Sequence, residues 1–330
     1  MLSGAQEQEI AKQNTVNPQA YELLLKGHSA RNKHGTENKK KAAEYYQQAI
    51  NIDPNYASAY AALSVIYSDL THNSILDPRE FKPKAESAAR KALELDENLA
   101  EAHDALALVK LNGWDWAAAG QEYSRAIELN PNFAKAHSSY GFYLSLTGRH
   151  EQAVAEFRRA KDINPLSPTV NASIGYGLYH ARRYDEAFEI LQNALEMDKD
   201  NTFTNGIIAH TYMEKKMYPE AVAAFQKVIK LGGEPGYQIY LGAAYAKSGD
   251  RERAQAILRQ LETAGNYVSP GELAVLYAAL DKREQAFASL ERAFAVRDAQ
   301  LQFLKVEPAF DSLRDDSRFQ DLLRRVGLPQ

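Results

Sequence analysis

The chain has 330 residues, 45% of them hydrophobic and 25% charged, with a formal net charge of −4 that lacks the basic footprint phosphate contacts need, so nucleic acid is not an expected partner. There is no cysteine, which excludes disulfides, thiolate catalysis and cysteine-based zinc or iron–sulfur sites. Residues 1–10 lack the apolar core of a signal peptide and no apolar stretch is long enough to span a bilayer, so no membrane contact is expected.

The organising signal is that the sequence matches itself when shifted by 34 residues. From the amino terminus, a first copy holds Tyr21, Leu24, Ala42, Tyr46, Ala49 and Pro54, with a long connection between its two helices. The basic run Arg31, Lys33, Lys39, Lys40 and Lys41 near that connection reads as a solvated helix start. A second copy holds Tyr60, Leu63, Tyr67, Ala85, Ala89 and Ala92, its helices separated by roughly nine extra residues. That connection, residues 69–83, carries Ile75, Leu76, Pro78, Phe81 and Pro83 and is expected to fold back on the body.

The third and fourth copies, residues 100–133 and 134–167, are the clearest, pairing Leu106 with Tyr140, Ala107 with Gly141, Ala119 with Ala153, Tyr123 with Phe157, Ala126 with Ala160 and Pro131 with Pro165. The fifth, residues 168–201, keeps Gly175, Ala187, Leu191 and Ala194. A sixth begins at Thr202 with Ala209, Tyr212, Ala221 and Phe225, and Gly232 and Gly233 should end it with a left-handed cap. The seventh holds Leu241, Gly242, Tyr245, Gly249, Ala254 and Leu258, and the eighth Leu273, Ala274, Tyr277, Ala286, Leu290 and Ala293. Beyond them, Leu313, Phe319, Leu322 and Leu323 suit a short turn and an amphipathic helix ended by Gly327 and Pro329, expected to cover the apolar end of the last pair.

The offsets have a mechanical reason. Positions 4, 7, 8 and 11 of each copy form one stripe of a first helix, and positions 20, 24 and 27 form the facing stripe of a second. Positions 8, 20 and 27 are Gly or Ala because helix axes about 8–10 Å apart leave no room for more. The pattern predicts an all-α fold, an α-solenoid of about eight antiparallel helix pairs over residues 17–300, with a lead-in at 1–16 and a cap at 301–330.

No catalytic or metal constellation stands out. His103 and His137 share position 4 of consecutive copies, but equivalent positions lie a helix-packing distance apart, too far for a shared metal, so both read as packing residues. His150-Glu151 has no second His one turn on, and Gly175-Tyr176-Gly177 falls within a helix rather than after a strand. Catalytic residues, metal and cofactor are each read as none.

These spacings closely resemble the tetratricopeptide repeat family. With Trp114-Asp115-Trp116, the long second connection, the tail and the opening Leu2-Ser3-Gly4, the chain is similar to the repeat arrays of bacterial multidomain regulators, in which such arrays follow a winged-helix or Ser/Thr kinase domain. The resemblance implies a right-handed superhelix whose first helices line a concave groove, with positions 2, 5, 9, 12 and 13 facing into it. Those positions include Asp104 and Lys135, and an apolar wall of Phe142, Tyr176, Tyr179, Phe203, His210 and Met213. The family's chaperone-binding members clamp a carboxylate with Lys and Asn, whereas this chain has Asp104 and Ser138 at position 5 and Leu108, Phe142 and Tyr176 at position 9.

The implied function is a non-catalytic scaffold that binds a peptide or partner protein, with small-molecule sensing within a regulator as the alternative. A monomer or weak homodimer is expected. The expected location is the cytoplasm, or the periplasm if the array follows a membrane helix in a longer protein.

Overall fold

The computed structural model describes residues 17–329 except 34, 73–75, 77, 264 and 266; the lead-in at 1–16 and Ile75 lie outside the described residues. Among the described residues there are seventeen α-helices, two 3-10 helices and no strand. Sixteen of the helices form eight successive hairpins. They are α1 (Pro18–Arg31) with α2 (Thr36–Ile52), α3 (Ala57–His72) with α4 (Pro78–Leu95), α5 (Ala100–Asn112) with α6 (Trp116–Leu129), and α7 (Ala134–Leu146) with α8 (His150–Ile163). Then come α9 (Pro168–His180) with α10 (Tyr184–Met197), α11 (Thr202–Glu214) with α12 (Tyr218–Lys230), α13 (Tyr237–Lys247) with α14 (Arg251–Glu262), and α15 (Pro270–Ala279) with α16 (Arg283–Ala295). The fold is an all-α solenoid. Contacts divide it into two compact units inside α7, between Ser139 and Tyr140, and each is described by itself.

The small-residue stripes are where the 34-residue period places them. Ala119, Ala126, Ala153, Ala160, Ala187 and Ala194 are buried on the second helices, and the bulky residue between them is Tyr123, Phe157, Leu191 or Phe225, each fully enclosed. Opposite these stand Ala107, Gly141, Gly175 and Ala209 on the first helices. A Cβ built on Gly141 would lie 2.7 Å from the Phe157 ring, and one on Gly175 2.5 Å from Leu191, so the bulky residue fills the space glycine leaves.

In the third to sixth hairpins a polar residue at position 4 ties the hairpin to the turn before it. His103 bonds the Glu97 carbonyl at 3.0 Å, His137 that of Pro131 at 3.0 Å, Asn171 that of Pro165 at 2.9 Å and Asn205 that of Lys199 at 3.0 Å. The histidines are thus packing residues that satisfy a turn carbonyl. Among the described residues no group of three His, Asp or Glu could hold a metal.

Within a hairpin the turn needs one residue with positive φ. It is Trp114 (φ 63), Gly148 (82), Arg182 (61) and Lys216 (59), again 34 residues apart. The next N–H closes a six-residue ring, as from Arg183 to the Leu178 carbonyl at 2.9 Å, which satisfies a carbonyl at the helix end. A non-glycine residue there costs about 1 kcal/mol of strain, so these side chains are retained for some other reason.

Two features depart from the sequence reading. The connection in the second hairpin is short, because the extra residues lengthen α3 to 16 and α4 to 18 residues. Pro78 opens α4, where its missing N–H is harmless, and Pro83 removes only one further bond near the start. Phe81 packs edge-on against Tyr67 at 5.2 Å and Leu76 packs against the core, so these apolar residues do fold back.

The tail does more than cover the last pair. Its helix α17 (Ser317–Val326) packs on α16, with Phe319, Leu322 and Val326 buried, and ends at Gly327 in the left-handed region. Arg318 reaches Glu284 at 2.8 Å and Arg325 reaches Glu291 at 2.8 Å, both 34 residues apart, so α17 takes the place of a further second helix. Where the corresponding first helix would stand there are two 3-10 turns, Ala299–Phe303 and Pro308–Leu313, and these run across the first helices of the second unit.

Candidate functional site

In the second unit, the expected aromatic wall exists as a packed belt. Phe142 on α7 lies 4.6 Å from Tyr176 on α9 and 6.0 Å from Phe203 on α11, edge to face in both cases. Tyr179 lies 6.0 Å from His210, which in turn meets Tyr240 of α13 at 4.4 Å and Phe225 at 5.2 Å. Phe142, Tyr176, Phe203, His210 and Met213 are half-buried, and Met213 packs into the cluster around Ala209, Phe225 and Ala244. Tyr179 is buried.

What buries Tyr179 is the chain's own tail. Glu307 Oε1 accepts from the Tyr179 hydroxyl at 3.5 Å, Phe303 stacks over His180 at 6.2 Å, and Gln300 donates to the Tyr240 hydroxyl at 2.9 Å. Arg182, the strained turn residue, grips both oxygens of Asp311 at 2.6 and 2.7 Å, which gives its side chain a reason to be there. Lys305 donates to the Thr147 carbonyl at 3.0 Å. Arg314 holds the segment in shape through the Leu304 and Glu307 carbonyls, both at 2.9 Å. Leu301, Leu304, Val306 and Phe310 are buried. The apolar residues of this stretch were visible in the sequence, but nothing local said which surface they cover.

Burial disfavours the charged forms of the ionisable groups at this contact. Burial lowers His180 to about 3 and His210 to about 4, and burial raises Glu307 to about 7 against the opposing hydrogen bond from the Ala309 N–H. Most charges lining the polar recess at the α9–α10 turn are in ion pairs, Arg183 with Glu186 at 2.6 Å, Arg182 with Asp311 and Lys215 with Asp185, while Glu214 beside them is in none of these pairs.

The first unit has a different, charged face. Arg31 at the end of α1 pairs with Asp69 of α3 at 2.9 Å, and Lys135 at the start of α7 pairs with Asp104 Oδ2 of α5 at 2.5 Å. His28 bonds the Tyr46 hydroxyl at 2.9 Å, and burial lowers it to about 4. Glu101 lies one turn before Asp104, and its carboxyl is pushed upward by burial and by Asp104 beside it. The sequence candidates therefore fall into two sets: Asp104 and Lys135 in the first unit, and Phe142, Tyr176, Tyr179, Phe203, His210 and Met213 in the second.

Successive helical hairpins on a 34-residue period define a repeat solenoid of the kind that works as a binding surface. Three stretches, residues 28–56, 122–155 and 178–239, match models of the tetratricopeptide repeat. Those three stretches are tetratricopeptide repeats, and the same helical hairpin recurs along the described residues.

Solved structures agree on the fold. The chain is 16% identical to one in the crystal structure of the APC/C hetero-tetramer Cut9-Hcn1, with a TM-score of 0.64 over 98% of this chain and 59% of that one. It is 15% identical to yeast Tom70, with a TM-score of 0.56 over 94% of this chain and 68% of that one. It is 16% identical to a tetratricopeptide repeat protein from Parabacteroides merdae, with a TM-score of 0.55 over 81% of this chain and all of that one. The chain thus spans about three fifths of the Cut9-Hcn1 chain it matches. No curated protein sequence matches it. Among the described residues no helix is long and apolar enough to cross a membrane.

Proposed function

We propose that this chain is a non-catalytic scaffold that docks an irregular peptide segment of a partner protein on the faces of its first helices. Tetratricopeptide repeat proteins generally mediate protein–protein interactions, and the family is generally non-catalytic. One observation carries the reading: the second unit already grips such a segment, its own residues 299–311, through Tyr179, Arg182, Tyr240 and a main-chain carbonyl at Thr147. Aromatic side chains suit this work because each buries a large area while losing few rotors. Phe142, Tyr176, Phe203, His210 and Met213 remain half-buried beside the tail and are the apolar residues offered to a partner, with Asp104 and Lys135 the polar ones of the first unit.

Resemblance to the arrays of bacterial regulators supports a docking role within a longer regulator. The test is to pan a phage-displayed library of random 12-residue peptides against the full chain and map each binder by hydrogen exchange. Binders that protect the first helices are expected; no binders, or protection confined to the second helices, would refute the reading.

A further inference from the structure

Asp104 is the most anomalous polar group in the first unit. Its side chain is only 2% exposed, yet just one oxygen is engaged: Oδ2 takes Lys135, and Oδ1 has no hydrogen-bond partner among the described residues. An acceptor enclosed in this way forgoes about 1–3 kcal/mol, and native structures rarely leave one without a purpose.

The charge balance of this face points the same way. Lys135 and Arg31 are the cations facing Asp69, Glu101 and Asp104, with Asp96 adding to the field at Glu101. His28 is neutral there. Glu101 has no ion pair, so among the described residues this face holds at least one carboxylate more than it has cations. What covers Asp104 is a long flexible side chain, one third exposed, from the next hairpin. Lys135 makes a single-point contact with Asp104, whose second oxygen would accept from another donor.

We propose that Glu101 and Asp104 form a seat for a cationic side chain, arginine or lysine, of a docked peptide, and that Lys135 occupies it in the free protein. This rests on the peptide-docking function proposed above and names the chemistry of one part of the partner. On docking, the incoming cation donates to Asp104 Oδ1 and to Glu101, and Lys135 swings aside into solvent. An arginine satisfies the site best, because its fork offers several donors at once to the two carboxylates.

The test uses the full chain and the 12-residue peptides selected on it. Each peptide is resynthesised with its basic residue as arginine, lysine or uncharged citrulline, and affinities are read by fluorescence anisotropy on wild type, Asp104→Asn, Glu101→Gln and Lys135→Met. Selected peptides should be rich in Arg or Lys, and citrulline should weaken binding at least about tenfold. Asp104→Asn should weaken the arginine peptide by a similar factor while leaving the citrulline peptide unchanged. Lys135→Met, which removes the internal competitor, should tighten the arginine peptide, and this arm decides the matter even if Asp104→Asn fails to fold. Arginine peptides that bind Asp104→Asn as well as wild type, or that lose affinity with Lys135→Met, would overturn the seat while peptide docking stands. A library that yields no binder at all would remove both.

Discussion

Replacing Gly141 by alanine tests the packing rule on which every hairpin depends. The new Cβ would lie 2.7, 2.8 and 3.0 Å from three atoms of the Phe157 ring, where contact between carbons settles near 3.5–4.0 Å, so the ring must retreat by close to an ångström. It has nowhere to go: Phe157 is fully enclosed, Phe142 meets it edge-on at 5.2 Å, and a Cβ built on Gly177 would lie 3.1 Å from its far edge. Overpacking of this kind costs roughly 1–3 kcal/mol. Alanine in a helix returns about 1 kcal/mol relative to glycine, which leaves a net loss of up to about 2 kcal/mol. In a Phe157→Leu background the clash is gone, so the same change should be neutral or stabilising, giving a coupling energy of at least about 1 kcal/mol. Gly113→Ala is the control, since its nearest contact is 3.4 Å. Urea unfolding followed by circular dichroism reads all four proteins of the cycle. An effect of Gly141→Ala that is the same in the Phe157 and Phe157→Leu backgrounds would refute the packing argument.

Three further predictions follow from single contacts. Asn171→Leu removes both bonds from its amide, to the Pro165 and Ser167 carbonyls at 2.9 Å, and should lower unfolding stability by about 1–2 kcal/mol in urea titrations. Asp311→Asn breaks the fork with Arg182; because both partners are nearly half exposed, global stability should fall by less than about 1 kcal/mol, while hydrogen exchange at the second 3-10 turn speeds up. With pH, His28, His180 and His210 have folded values of about 4, 3 and 4, below their ordinary 6.5, so the stability they contribute is present above pH 6.5 and is lost on acidification towards 4. Glu307, raised to about 7, acts in the opposite sense, favouring the folded state below its ordinary 4.5 and losing that contribution as pH rises through 7. Glu307→Gln should therefore steepen the loss of stability between pH 6.5 and 5, measured by urea midpoints across that range.

The hairpins were legible because their cause is local and repeated: Ala153, Ala160 and Phe157 sit at helical spacing, and Pro168 marks the start of α9 just beyond Ser167, whose hydroxyl caps it. The long α4 was not, because Pro78 and Pro83 read as breakers of a connection when one opens the helix and the other falls early within it. The path of residues 299–313 was hidden for a deeper reason. Short 3-10 turns have no apolar period to detect, and their contacts with Thr147, Tyr179 and Arg182 join positions more than 120 residues apart. Arg182 carried a faint signal, as a bulky residue at a turn position where the fourth copy has Gly148. The pairing of Asp104 with Lys135 becomes visible only once positions 5 and 2 of successive first helices are known to face one another.

In solution, the first helices of the second unit are expected to hold the irregular segment 299–313. Amide hydrogen exchange across residues 299–313 of the full chain measures this. Protection comparable to that of the neighbouring helix ends is expected, centred on Leu304 and Val306, whose N–H groups bond the Leu301 and Phe303 carbonyls, and weakened by Tyr179→Phe with Arg182→Ala. Exchange throughout that stretch at the rate of an unstructured peptide would contradict it.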